Sequence, residues 1–333
     1  MPTELNVLYA CDENYAPYTG VSITSLFENN KDIATLRVYL AGMGFSEESK
    51  RKMQELAEKF GRELHFLSTQ RAEKLIEKYQ CKGWNGSLAT WLRFFVLEQI
   101  PQDIHRILWL DSDTIVCRNL TELCEWDMLG QPVACACDSI CYYERFRLGI
   151  TEAEPYFNAG VILFNLDYWR EHNTIDGMFT HLMDNVQRYT LNDQDMLNDY
   201  FRGKCVKLPP EYNFQGTLLA YSPEVYFSVY PWQESAFYTL DTVKNAAKAP
   251  AIIHFFRFLG DYPWQQGDNH HPARELYEMW KSRSLWQDHT GAPERKERIY
   301  QIEKVLYKVL PQKLFLQAFS FVTNRKLPKQ PVK

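Results

Sequence analysis

Seven short apolar runs punctuate the chain, at 6–10, 36–40, 64–67, 106–110, 133–137, 160–164 and 251–255, and several have no polar side. A strand that is apolar on both faces needs cover on both faces, which a largely parallel sheet flanked by helices supplies. Stretches of helical character separate the runs, so the chain reads as alternating strand and helix, the pattern of an α/β domain. One helix is well marked between Ser46 and Gly61, where Met53, Leu56, Ala57 and Phe60 recur at helical spacing. Ser46 stands where a cap opens a helix and Gly61 where a left-handed residue closes one. A second helix is predicted over 192–202, with Met196, Leu197, Tyr200 and Phe201 on one face and Gly203 beyond it.

The 333 residues are 45% apolar and 24% charged, globular values that exclude a disordered, collagen-like or solenoid chain. Aromatic residues make up 15% of the sequence, and their flat apolar faces with polar edges suit a dense core and a sugar-binding cleft alike. The longest apolar stretches, 251–259 and 314–322, are broken by polar residues and fall short of the roughly 20 needed to cross a bilayer. The N-terminus has neither the basic nor the long apolar region of a secretory signal, so a cytoplasmic location is expected. Cys11, Cys117, Cys135 and Cys137 sit in apolar runs and read as buried thiols. The group Cys135, Cys137 and Cys141 matches no paired zinc spacing.

Charge is unevenly spread. Residues 294–333 hold ten basic and three acidic side chains, whereas the rest holds 27 and 39, within a net charge of −5. An acidic body excludes a broad nucleic-acid surface, which needs many Lys and Arg on phosphates. A small anionic substrate would need a metal or a few placed cations. After Trp264 the strand-like runs stop and 265–272 reads as loop. Ile299, Ile302, Leu306 and Val309 then line one face of a basic helix that Pro311 should end. Leu314, Phe315, Leu316, Phe319, Phe321 and Val322 follow, ahead of Arg325, Lys326, Lys329 and Lys333. This composition suits a segment lying on an anionic membrane, and equally a helix packed on the domain with a basic tail. The expected division is a catalytic domain over 1–265 and a helical, basic extension over 266–333.

The chemistry concentrates where the run Ile107-Leu-Trp-Leu ends in Asp111-Ser112-Asp113. Carboxylates at the carboxyl edge of a sheet lie where α/β proteins bind ligands, and oxygen donors at this spacing suit Mn²⁺ or Mg²⁺ bridging a diphosphate. Such a pair also occurs as a plain turn former. Five further stretches add to it in order: Leu8-Tyr-Ala10-Cys-Asp12-Glu-Asn14-Tyr, Thr90-Trp-Leu-Arg93, Tyr156-Phe-Asn158-Ala-Gly160, Leu191-Asn-Asp193-Gln194-Asp195 and Ile252-Ile-His254.

Together these stretches resemble glycosyltransferase family 8, retaining enzymes of the GT-A fold that use nucleotide sugars, including the bacterial lipopolysaccharide-type galactosyl- and glucosyltransferases. The resemblance runs from about Asn6 to Trp264. It implies that Ala10, Asp12 and Asn14 hold uridine and its ribose. Asp111, Asp113 and His254 would be the metal ligands, for Mn²⁺ or alternatively Mg²⁺, with Ser112 counted among the substrate contacts. Arg93 would contact the donor, and Asn158 and Gly160 would form the shelf for its sugar. Asp193 would grip sugar hydroxyls, while Gln194 would lie beneath the anomeric carbon. The implied reaction moves glucose or galactose from its UDP form to a glycan or lipid-linked glycan acceptor. The sequence departs from the family at one place: after the histidine the family usually has a glycine three residues on and then Lys-Pro-Trp, the glycine and the Lys contacting diphosphate. Here the loop is longer, with Gly260 for the glycine, Tyr262 where Lys is expected, and Arg257 as a substitute cation. Two other readings are a sugar-nucleotide or glycan-binding protein without turnover, and an aspartyl-phosphate phosphatase of the haloacid dehalogenase kind, whose motif this chain fits poorly.

Overall fold

The computed structural model describes residues 3–83 and 87–330. Lys333 of the basic tail lies outside that range. Each of the seven apolar runs contributes a strand, and three shorter strands join them. In chain order they are β1 (Glu4–Asp12), β2 (Thr35–Met43), β3 (Glu63–Phe66), β4 (Arg106–Leu110), β5 (Thr114–Val116), β6 (Val133–Cys137), β7 (Phe157–Asn165), β8 (Cys205–Lys207), β9 (Phe214–Gln215) and β10 (Ile252–His254). β5, β8 and β9 have two or three residues each, too few for alternation to mark them in a sequence.

The main sheet has the order β3-β2-β1-β4-β7-β6-β8, and a small second sheet has the order β5-β10-β9. β1 pairs in parallel with β2 and β4, as β6 does with β8, but β7 runs antiparallel to both β4 and β6. That reversal makes the sheet mixed and lays the start of β7 beside the end of β4. Both faces are covered, and β1, β4, β6 and β7 are buried almost throughout, as their two-sided apolarity requires.

The helix Glu47–Lys59 begins at Ser46, whose hydroxyl accepts from the Ser49 N–H at 3.1 Å, and is followed by Gly61 at a left-handed φ of +62°. Asn192–Tyr200 is the second predicted helix, with Met196 and Leu197 buried and Gly203 at φ +75° after it. Beyond residue 265, the helix Arg274–Arg283 packs on Ala16–Asn29 and buries Tyr277 and Trp280. All eight cysteines are free thiols. No helix among the described residues is long and apolar enough to cross a membrane.

Arg298–Val309 and Gln312–Asn324 follow, with Pro311 between them. The first is inverted relative to ordinary amphipathic packing. Ile299, Ile302, Leu306 and Val309 face outward, while Lys304, 3% exposed, turns in to pair with the buried Asp261 carboxylate at 2.8 Å. The second helix buries Phe315 and Leu316 and leaves Phe321 and Val322 exposed.

The loop that opens the C-terminal region carries a pH prediction. His271 is buried; its Nε2 bonds the Phe256 carbonyl at 2.8 Å and its Nδ1 accepts from the Ala273 N–H at 3.1 Å. Burial pushes its pKa down to about 4 from an ordinary 6.5, because the charged ring loses its hydration, and the bond to the Phe256 carbonyl offsets only part of that. The unfolded chain therefore takes up this proton first. Stability is full above the unfolded value and falls as pH drops from about 6.5 toward 4, by on the order of 3 kcal/mol. Urea midpoints measured across that window should slope accordingly, and the slope should flatten in His271→Gln.

Candidate active site

The chain leaves the main sheet at Leu110 and enters the small sheet at Thr114, so Asp111, Ser112 and Asp113 occupy the crossover at the carboxyl edge. Two non-local registers complete the place. The Asp111 N–H donates to the Gly160 carbonyl at 2.8 Å, which ties the crossover to β7. Antiparallel pairing of β5 with β10 sets His254 opposite Thr114, and the Phe255 N–H donates to the Asp113 carbonyl at 2.8 Å. The turn is held from beneath by Ala16–Asn29, whose Thr19 hydroxyl donates to Ser112 Oγ at 2.7 Å.

His254 Nε2 consequently stands 3.3 Å from Asp113 Oδ1 and 3.8 Å from Asp111 Oδ2, and one donor atom from each residue lies within 4.8 Å of the others. Its other ring nitrogen meets Asn213 Oδ1 at 3.2 Å, and the Asn213 amide donates to Asn158 Oδ1 at 2.8 Å. That chain aims Nε2 at the carboxylates, as outer partners do for metal-bound imidazoles. Burial by itself disfavours a charged His254, yet the Asp113 and Asp111 carboxylates outweigh it and raise its pKa. Burial also raises the Asp111 pKa, with Arg93 opposing and Asp113 reinforcing the shift. A buried imidazole facing two carboxylates suits a divalent cation that accepts mixed nitrogen and oxygen donors, Mn²⁺ above Mg²⁺. The donor set therefore fits the metal.

Arg93 sits behind the pair. Its Nη2 lies 3.1 Å from Asp111 Oδ1, its Nε lies 2.9 Å from Asp193 Oδ2, and the guanidinium covers the Trp109 ring at 4.7 Å. It also donates to the Thr90 and Ala159 carbonyls. Even with this partner, burial lifts the Asp193 pKa to about 6.

The start of the helix Asn192–Tyr200 is fixed by Asp195, which accepts from the Thr190 and Leu191 N–H groups at 2.8 Å each and from the Tyr156 hydroxyl at 2.7 Å. This fixes Gln194, whose amide orientation is fully specified. Its Nε2 donates to Asp138 Oδ2 at 3.1 Å, and its Oε1 accepts from the Ala159 N–H and the Asn158 amide, both at 3.0 Å.

The carboxylates Asp111, Asp113, Asp138 and Asp193 share one cavity of about 640 Å³ with His254, Arg93 and Gln194. Ala10, Asp12, Asn14, Arg93, Asp111, Ser112, Asp113, Asn158, Gly160, Asp193, Gln194, His254 and Arg257 line it. Asp12 also caps a turn, accepting from the Tyr15 N–H at 3.3 Å. Gly160 has a structural reason to lack a side chain, since a Cβ there would lie 2.1 Å from His254 Cε1. Gly260, by contrast, lies outside the cavity wall. With Leu259 it forms the tight turn 258–261, both at positive φ, and it abuts the Tyr300 ring. Tyr262, in the place of the expected Lys, stacks on Trp264 at 4.7 Å, and the exposed Arg257 guanidinium lies 5.2 Å from the Tyr262 ring.

Two residues of the site escaped the sequence reading. Asp138 was detectable as another carboxylate directly after an apolar run. It orients Gln194 and Asn158 while accepting from the Ile140 and Cys141 N–H groups at 2.8 Å. Asn213 carried no local signal, because only tertiary contact reveals it.

An α/β sheet with one reversed strand, carrying Asp-Ser-Asp and a histidine at its carboxyl edge, defines a glycosyltransferase of the GT-A fold. Solved structures share that architecture. Galactosyltransferase LgtC, in complex with donor and acceptor sugar analogues, superposes with a TM-score of 0.68 at 22% identity, over 84% of this chain and 96% of that one. The WbbM bifunctional glycosyltransferase gives 0.69 at 20% identity, over 87% and 51%. Residues 6–266 match Glycosyl transferase family 8; the chain belongs to that family and is a hexosyltransferase. It is 26% identical to lipopolysaccharide 1,2-glucosyltransferase of Escherichia coli over 92% of this chain and 86% of the relative. Lipopolysaccharide 1,3-galactosyltransferase of Salmonella typhimurium is 25% identical, over 85% and 79%. General stress protein A of Bacillus subtilis is 23% identical, over 85% and 94%.

Proposed function

We propose that this enzyme transfers a hexose, glucose or galactose, from its UDP form to a hydroxyl of a glycan acceptor, with Mn²⁺ and with retention at the anomeric carbon. The observation that carries the reading is one cavity in which the Asp111, Asp113 and His254 cluster faces Arg93, Asp193 and Gln194. A divalent ion held by the three ligands would offset the charge that develops on the departing diphosphate. Ala10, Asp12 and Asn14 bind the uridine, and Asn158, Gly160 and Asp193 bind the donor sugar. Gln194 lies beneath the anomeric carbon in this reading, which its fixed side chain supports: Asp138 holds its Nε2, and the Ala159 N–H and Asn158 amide hold its Oε1. An amide is a weak nucleophile, which favours attack on the face that the diphosphate leaves, with a phosphate oxygen taking the acceptor proton. Hydrolysis of a panel of UDP sugars with Mn²⁺ tests the reading without any acceptor. If every sugar nucleotide survives while UDP binds, the protein is a binding module.

Arg257 is the cation offered to the diphosphate in place of the family's Lys. Arg257→Ala should weaken UDP by on the order of 1.5–3 kcal/mol, the range for a charge-assisted hydrogen bond, while uridine binding changes little. Equal losses for both ligands in calorimetry would make Arg257 a structural residue. Tyr262→Lys should leave UDP affinity unchanged or improve it.

The cellular setting we propose is the cytoplasmic face of a membrane with lipid-linked acceptors. The outward stripe of Ile299, Ile302, Leu306 and Val309 continues in Leu314, Phe321 and Val322, all at least 40% exposed. Its segment is the basic part of an acidic chain. Apolar insertion flanked by Lys and Arg fits an anionic leaflet, with up to about 1 kcal/mol for each basic residue near the surface. Sedimentation with anionic vesicles should be strong, salt-sensitive and lost in Val309→Asp/Phe321→Asp. Retention of the double variant on the vesicles would rule out this face.

A further inference from the structure

We propose that the last helix, Gln312–Asn324, completes an acceptor subsite that takes an apolar aglycone next to the sugar receiving the hexose; the assignment rests on the transfer reaction proposed above. The cavity that holds the carboxylates and His254 extends to Phe315, Phe319 and Thr323 of this helix. A chain of rings leads there. Tyr221 meets Phe258 at 6.1 Å, Phe258 meets Tyr307 at 5.0 Å, Tyr307 meets Phe315 at 5.3 Å, and Phe315 meets Phe319 at 6.4 Å.

The geometry of that wall selects the ligand class. A sugar ring stacks on a flat aromatic face and bonds polar groups at its rim. Here Tyr221 meets Phe258 edge to face at 70°, Phe315 and Phe319 lie within 17° of parallel, and Leu259 and Leu316 join them in the lining, so the wall is mainly carbon with little to bond a sugar's hydroxyls. Such a surface gains most from hydrocarbon, whose burial is non-directional. Phe319, at its outer end, is 40% exposed and so has apolar area still to bury.

The wall is anchored. The Lys304–Asp261 pair fixes the preceding helix to the loop after β10, and Gln312–Asn324 packs on the helix Pro223–Val229. Past the helix, the Lys329 ammonium sits 3.8 Å from the centroid of the Tyr143 ring. The segment therefore presents a set surface to the cavity.

Calorimetry on the full chain with UDP and Mn²⁺, below the micelle threshold of the ligand, compares methyl and octyl β-glucosides and β-galactosides. The octyl forms should bind at least tenfold tighter than the methyl forms. Phe319→Asp should reduce that ratio below threefold, while Phe319→Leu keeps most of it. If Phe319→Asp fails to fold, Thr323→Asp carries the same test. An octyl preference unchanged by a folded variant would place the alkyl chain elsewhere and overturn the assignment. So would methyl disaccharides binding tighter than octyl monosaccharides, which would make the wall a second sugar subsite. The reading of the reaction itself fails separately, through intact UDP sugars in the hydrolysis panel.

Discussion

Asp113→Ala is expected to remove Mn²⁺-dependent UDP binding while leaving the metal-free protein folded. Asp113 Oδ1 is the carboxylate oxygen closest to His254 Nε2, at 3.3 Å, and its charge helps to raise the Asp111 pKa. Without a cation, the two carboxylates repel across the crossover, so the alanine relieves a repulsion as it removes a ligand. Loss of a first ligand should weaken the metal by at least the roughly 100-fold that even outer partners can cost. The difference is readable without turnover. At a Mn²⁺ concentration about 100 times the wild-type dissociation constant, the wild type gains about 2.7 kcal/mol of stability, whereas a variant 100-fold weaker gains about 0.4 kcal/mol. Melting curves with and without Mn²⁺ would show a large shift for the first and almost none for the second. Wild-type UDP affinity that persists in excess EDTA would overturn the metal's role.

Arg93→Met is expected to be among the most damaging single changes to the fold. Its guanidinium is 3% exposed and is the cation that bridges Asp111 and Asp193, the latter 7% exposed. Removing one partner of a buried ion pair leaves an uncompensated charge, at a cost of about 3–5 kcal/mol. Arg93→Lys should recover only part of this, because one ammonium does not span two carboxylates while also donating to the Thr90 and Ala159 carbonyls. The effect has a pH signature. Asp193 already has a folded pKa of about 6, above its unfolded value, so its burial costs nothing below the unfolded pKa and costs progressively more as pH rises through 6. Without Arg93 that window extends upward. Urea unfolding should therefore show a larger loss at pH 8 than at pH 5, and a loss under about 1 kcal/mol at both would mean that the carboxylates find other partners.

Much of the site's chemistry was legible because it is written in short stretches. An apolar run followed at once by Asp-x-Asp can be recognised within seven residues, and the ordered stretches around Asp12, Arg93, Asn158, Gln194 and His254 identified the family. Gly260 carries a requirement that its position after the histidine did not reveal: at φ +84° it shares the tight turn 258–261 with Leu259 and abuts the Tyr300 ring. The inward Lys304 was likewise invisible to periodicity, which put Ile299, Ile302, Leu306 and Val309 on one face without saying which way that face would point.

The sequence alone determined the seven apolar strands and the ends of the helix Glu47–Lys59, since two-sided apolarity, the Ser46 cap and a left-handed glycine act over a few residues, whereas the two- and three-residue strands β5, β8 and β9 carry no such signal. It also determined the kinds of donor available to a metal and a nucleotide. Tertiary structure decided where they meet. His254 reaches Asp111 and Asp113, some 140 positions away, only because β10 pairs antiparallel with β5, and Asp111 is tied to Gly160 only because β7 is reversed between β4 and β6. Such registers are set by the packing of whole sheets and by the need to give each buried polar group a partner. Neither condition can be evaluated within a short stretch, and for the same reason only the folded chain shows that its last helix forms part of the cavity wall.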